Sequence, residues 1–135
     1  MPKIIGIDYG TVRIGLAETD DLKMMAFGLD TVATKDIFRY LNEYLQNNTV
    51  ELFVVGEPKQ MDGSFSESEI HIQEFIKKLD STYHIPIQRF DERFTSKMAF
   101  NTMLASGISK KKRQNKGLID KISATIILQE YLNTL

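Results

Sequence analysis

A chain of 135 residues, 42% apolar and 26% charged, has the size and balance of one compact domain spanning residues 1–135. It holds no cysteine, which excludes disulfide staples, thiolate metal sites and a cysteine nucleophile, and which suits a reducing cytoplasm. Net charge is only −1, yet residues 1–88 carry eight Lys/Arg against fourteen Asp/Glu, while residues 89–121 carry nine against three.

That asymmetry points to a polyanion, because Lys and Arg gain affinity by displacing counterions from phosphates. A solvated face that merely aids solubility is the alternative. The longest apolar run, Met24–Leu29, is far short of the ~20 residues a membrane span needs. No export signal precedes Asp8. The chain therefore reads as soluble and cytoplasmic, with no membrane partner.

In chain order, Lys3–Asp8 and Arg13–Ala17 are β-branched runs separated by Tyr9–Val12, where Gly10 offers a positive φ. Met24–Val32 is a looser third strand, and the three close into an antiparallel meander. From Thr34 or Lys35 the period changes, with Ile37, Phe38, Leu41, Tyr44 and Leu45 at helical spacing. Leu52–Gly56 is nearly all apolar, as a strand covered on both faces requires. Pro58 ends it, and Lys59–Phe65 reads as a polar loop with a turn at Asp62-Gly63.

Ser66 and Glu69 have the spacing of a capping box before a helix carrying Ile72, Phe75, Ile76 and Leu79. Pro86–Asp91 is the fifth strand, and Phe94–Ser106 a helix stopped by Gly107. The polar segment Ser109–Gly117 leads to a last helix, Leu118–Leu132. The order is βββαβαβαα: an α/β fold with a mixed sheet and helices on both faces.

Acidic residues stand out at three places. Asp8 ends the first strand, where sheets of this kind open towards ligands, although a turn aspartate would look the same. Asp91 and Glu92 follow the fifth strand in Asp91-Glu92-Arg93-Phe94-Thr95-Ser96, a pattern a helix start also explains. Asp120 shares a helical stripe with Ala124, Ile127 and Tyr131, and an acid on an inward stripe must be paired, hydrogen-bonded or bound to metal. Converging carboxylates would suit Mg²⁺ or Mn²⁺ and phosphodiester cleavage. Spacing alone does not bring these acids together. His71, on a helix, and His84, in a loop, have no second ligand at useful spacing and read as structural. Ser66, Ser96 and Ser123 lack a paired base.

Ile5-Gly6-Ile7-Asp8-Tyr9-Gly10-Thr11-Val12-Arg13-Ile14-Gly15-Leu16-Ala17 resembles the opening of the YqgF family, also called RuvX, of the RNase H-like superfamily. Val54-Val55-Gly56-x-Pro58 with Asp62-Gly63-Ser64, the Asp91–Ser96 block, and Lys116 with Ile119-Asp120 and Ile126–Gln129 resemble its later signatures, in order and across the whole chain. The resemblance implies an RNase H-like fold whose five-stranded mixed sheet begins with three antiparallel strands. It further implies a divalent-metal nuclease, either a Holliday junction resolvase or the nuclease that matures the 5′ end of pre-16S ribosomal RNA.

By position, the resemblance makes Asp8, Glu92 and Asp120 the metal-binding catalytic acids. Arg13 and Arg93 become phosphate contacts or supports of the site. Glu57, where the family commonly has an apolar residue, leaves open whether it or Asp91 replaces or joins Glu92. Ser123 stands where an alanine is usual. Lys59, Lys97, Lys110, Lys111, Lys112, Arg113 and Lys116 complete the candidate nucleic-acid contacts. The reading favoured is an endonuclease on structured nucleic acid, an rRNA precursor before branched DNA, acting as a monomer or weak homodimer. A non-catalytic nucleic-acid-binding factor on the same fold is the main rival. An actin-like ATPase lobe is a weaker one, since 135 residues supply one lobe of the two required.

Overall fold

The computed structural model describes residues 2–58, 66–91 and 116–135. Five strands, β1 (Lys3–Asp8), β2 (Arg13–Thr19), β3 (Ala26–Ala33), β4 (Val50–Glu57) and β5 (Ile87–Asp91), form one sheet in the order β3-β2-β1-β4-β5. β1 pairs antiparallel with β2, as β2 does with β3, whereas β4 runs parallel to both β1 and β5. The antiparallel opening and the mixed sheet agree with the sequence reading.

Alternation along the strands divides the core in two. Ile5, Ile7, Ile14, Leu16, Phe53 and Val55 are fully buried in a cluster with Ile37 and Leu41 of α1 (Ile37–Asn47) and Ile72, Phe75 and Leu79 of α2 (Glu69–Tyr83). On the opposite face Ile4, Ala17 and Val54 join Ala124, Ile127, Leu128 and Leu132 of α3 (Lys116–Asn133). β1 and β4 are thus buried on both faces, which is why their sequences are so uniformly apolar.

Small residues let α3 lie close to the sheet. Gly6 of β1 pairs with Ala17 of β2, which pairs with Gly28 of β3, so a row of small residues crosses three strands beneath the helix. A side chain at Gly6 would put its Cβ 2.8 Å from that of Leu128.

Several boundaries differ from expectation. Met24 and Met25 lie before β3, because the Asp20 carboxylate accepts hydrogen bonds from both their amides, at 2.9 and 3.3 Å, and closes the hairpin turn there. A 3-10 turn, Thr34–Asp36, precedes α1. At Gly10 φ lies outside the left-handed region; what requires glycine is close approach, since a Cβ there would sit 2.5 Å from the Arg13 carbonyl oxygen. The Ser66–Glu69 capping box is not made. The Glu69 amide meets the Ser66 carbonyl at 3.1 Å, but its carboxylate turns to Arg89, a charge-assisted partner stronger than a backbone amide. The anticipated Lys59–Phe65 loop and Phe94–Ser106 helix lie outside the described residues.

Candidate active site

Asp8 is the last residue of β1, half-buried, and alternation puts it with Ile4 and Gly6 on the α3 face. Its cross-strand partner is Gly15. The backbone of α3 rests directly on that glycine: a Cβ at Gly15 would stand only 2.1 Å from the Asp120 carbonyl oxygen. Asp8 is therefore Gly15's neighbour within the sheet, and Asp120 lies above Gly15 on the same face. The inward stripe expected of the last helix is present, with Ala124 and Ile127 fully buried and Asp120 at its upper end.

Arg13 opens β2 and turns its guanidinium to Asp120, with Nε 2.6 Å from Oδ2. Gly10, Thr11, Val12, Arg13 and Asp120 line a cavity of about 320 Å³ beside the carboxyl end of β1. The β1–β2 loop bordering it is pinned from the far side. The Thr34 hydroxyl donates to the Gly10 carbonyl at 2.6 Å, and the Thr34 amide to that of Val12 at 2.9 Å.

Beyond the loop, Tyr9 packs against Phe75 with ring centroids 4.9 Å apart. Burial and the nearby Glu74 carboxylate push its phenol pKa up. Phe38 lies 5.9 Å from Phe75, and the Lys78 ammonium sits 4.7 Å above the Phe38 ring. These side chains, with Thr34, Lys35, Ile37, His71 and Glu74, line a second cavity of about 290 Å³.

The ends of β4 and β5 are tied by a residue the sequence reading passed over. Arg89 donates from Nε to the Val55 carbonyl at 3.3 Å and from Nη2 to that of Gly56 at 3.1 Å. Its two terminal nitrogens also grip Glu69 at 3.0 and 2.9 Å. These bonds hold the Glu69 carboxyl below its ordinary pKa, and Gln73 adds a further donor at 2.7 Å. Glu57, in register with Asp91, lies 3.9 Å from the same guanidinium. Alternation places Glu57 with Phe53 and Val55, on the face opposite Asp8. A cation two residues after apolar Ile87, and so on the same inward face of the strand, was the sequence signal for this network.

Among the described residues no three His, Cys, Asp or Glu side chains cluster closely enough to hold a metal. Glu92, Arg93, Lys59, Lys97, Lys110, Lys111, Lys112 and Arg113 lie outside those residues, and Lys116 begins α3. His71 is on α2, and His84 caps that helix in a left-handed conformation. Among the described residues no helix is long and apolar enough to cross a membrane.

The model of one protein family, RuvX, described as Holliday junction resolvase, matches residues 2–134. The chain belongs to the RuvX family. A RuvX relative from Christiangramia forsetii, named "Putative pre-16S rRNA nuclease", is 53% identical over 133 residues, covering 98% of each chain. One of the same name from Flavobacterium johnsoniae is 51% identical over 135 residues, covering 99% of this chain and 98% of its own. The fowlpox virus resolvase, solved with Holliday junction DNA, has the same fold at a TM-score of 0.62 and 14% identity, covering 98% of this chain and 97% of its own. Thermus thermophilus RuvC with a Holliday junction substrate gives 0.56 at 17% identity, over 99% and 95%. The RNase H-like architecture expected for a RuvX chain is thus the architecture found.

Proposed function

We propose that this protein is a divalent-metal-dependent endonuclease that matures the 5′ end of pre-16S rRNA. What supports the reading is that Asp8 pairs across the sheet with Gly15, that the backbone of Asp120 rests on that same glycine, and that Arg13 is held on Asp120. The names of relatives at 53% and 51% identity supply the substrate.

Asp8 and Asp120 offer hard carboxylate oxygens on one face of the sheet, a donor set that fits Mg²⁺ or Mn²⁺. Glu92, the third acid, immediately follows β5. It is preferred to Glu57 and Asp91, which alternation turns to the other face. The bound ion would supply Lewis-acid polarisation of the scissile phosphate and acidification of the attacking water. Arg13 fixes the rotamer of Asp120, and Thr34 holds the loop that borders the cleft. Lys110–Lys116 and Lys59 draw the phosphate backbone in, and Arg93 and Lys97 add further contacts to it; such contacts position a substrate without selecting sequence. The protein works as a monomer or weak homodimer in the cytoplasm.

A four-way DNA junction is the second substrate to consider, favoured by the description of the RuvX family. The test sets a pre-16S rRNA fragment beside such a junction, with Mn²⁺, Mg²⁺ or chelator, for wild type and Asp120→Asn. Metal-dependent cutting of the rRNA fragment, lost in the variant, is the expected result. Cutting of the junction alone would make the protein a resolvase. Binding of either that survives Asp8→Asn, without cutting under any metal, would make it a binding factor.

A further inference from the structure

The cavity on the far side of the Tyr9–Val12 loop has no part in the chemistry above. Its floor is aromatic, built from Tyr9, Phe38 and Phe75. Its rim carries the ammonium groups of Lys35 and Lys78, both on exposed residues, together with the imidazole of His71. Thr34 and Glu74 add hydrogen-bond acceptors along the wall. With about 290 Å³ it has room for a planar heterocycle.

The Phe38 ring already receives a cation on one face, so that face is reachable from solvent. A flat π-system can take the place of Lys78 there, freeing the ammonium to meet the phosphate attached to that base. One loop, Tyr9–Val12, separates this cavity, which Tyr9 lines, from the cavity lined by Arg13 and Asp120. A strand passing Asp120 would reach the aromatic floor by crossing the Tyr9–Val12 loop, whose Gly10 lines the Arg13 cavity.

We propose that this cavity binds one unpaired nucleotide of the RNA strand flanking the cleavage site, its base on the aromatic floor and its phosphate between Lys35 and Lys78. This rests on the nuclease reading above and adds to it a preference for substrates with a single-stranded extension. Such recognition suits RNA, whose unstacked bases are the parts open to aromatic side chains.

The test measures affinity for two fluorescein-labelled RNA duplexes of equal length, one blunt and one with a six-nucleotide single-stranded extension, in chelator so that neither is cut. Wild type should bind the extended duplex roughly tenfold more tightly, the yield of about one stacked base. The double variant Lys35→Glu, Lys78→Glu should lose that difference while binding the blunt duplex as before. A 5-iodouridine in the extension should photocrosslink to the peptide carrying Tyr9 or Phe38. The proposal fails if the extension adds no affinity to wild type. It also fails if the double variant weakens both duplexes alike, which would mark a general electrostatic effect. Cleavage of the pre-16S fragment by wild type is scored separately. A cutting enzyme indifferent to the extension sinks this inference alone, and an inert one that prefers the extension sinks the nuclease reading alone.

Discussion

Arg13 Nε and Asp120 Oδ2 lie 2.6 Å apart, and both atoms are sealed from solvent although their side chains are 34% and 24% exposed. The contact crosses from the first residue of β2 to the first turns of α3. It sets which way the Asp120 carboxylate faces. Groups that orient a metal-binding side chain typically contribute 10–100-fold to activity.

Arg13→Gln should therefore lower kcat/KM for cleavage about 10–100-fold while changing RNA affinity in chelator less than about twofold. A phosphate-binding role makes the opposite forecast. Affinity would drop, and the slope of log Kd against log salt would change by about one. Measuring both quantities on one variant separates the two.

Gly15→Ala drives a methyl group into the backbone of Asp120, which cannot swing aside. The helix must lift, at a cost of about 1–3 kcal/mol by analogy with overpacked cores, and cleavage should fall with it. Gly28→Ala is the control. Its Cβ would meet Lys121 Cγ at 2.9 Å, part of a flexible side chain that can move away. Thermal unfolding should show a clear loss for the first variant and a change within about 1 kcal/mol for the second. Equal losses would mean that α3 tolerates displacement from the sheet.

Glu69 gives stability a defined pH dependence. Its carboxyl titrates below the ordinary 4.5, chiefly because Arg89 hydrogen-bonds to the ionised form. The unfolded chain thus takes up the proton first as pH falls. The stabilisation is complete above about 4.5 and fades as pH drops through the lowered folded value. Glu69→Gln should be less stable than wild type at pH 7, with the gap closing below pH 4 in urea titrations. A gap that stays constant across this range would remove the ion pair as its cause.

The basic segment should reveal itself through salt. Replacing Lys110, Lys111 and Lys112 with alanine removes up to three phosphate contacts. The slope of log K against log salt should become shallower by up to about 2 on a single strand and about 3 on a duplex, at roughly 0.7 and 0.9 per contact. An unchanged slope would leave these lysines as a solvated surface.

How much of this could be read from sequence varied with the physics of each element. β1 and β4 announce themselves because burial on both faces leaves only apolar choices. The start of β3 does not, since Met24 and Met25 are apolar yet 68% and 55% exposed, held in the turn by Asp20. Asp120 was legible because a helical period exposes an acid on an inward stripe. Arg13 was singled out as a phosphate contact or a support of the site, but its pairing with Asp120 was not legible. The contact depends on how closely α3 settles on Gly15, a tertiary distance that no local pattern encodes. Glu69 misled for a related reason. Its spacing from Ser66 suits a cap, and only the fold brings Arg89 near enough to compete for it.

The row of Gly6, Ala17 and Gly28 has a consequence for the chemistry itself. Where a helix lies on large side chains, its height above a sheet is a compromise among rotamers and can drift as they repack. Along this row α3 meets main chain and a methyl-sized group, which have no rotamers to change, although Ile4 and Val54 pack beside it. The height of the Asp120 backbone above Gly15, the cross-strand partner of Asp8, is likewise gauged by atomic radii, much as a shim of fixed thickness spaces two plates. Loops around the cleft can vary to suit different substrates without altering that gauge.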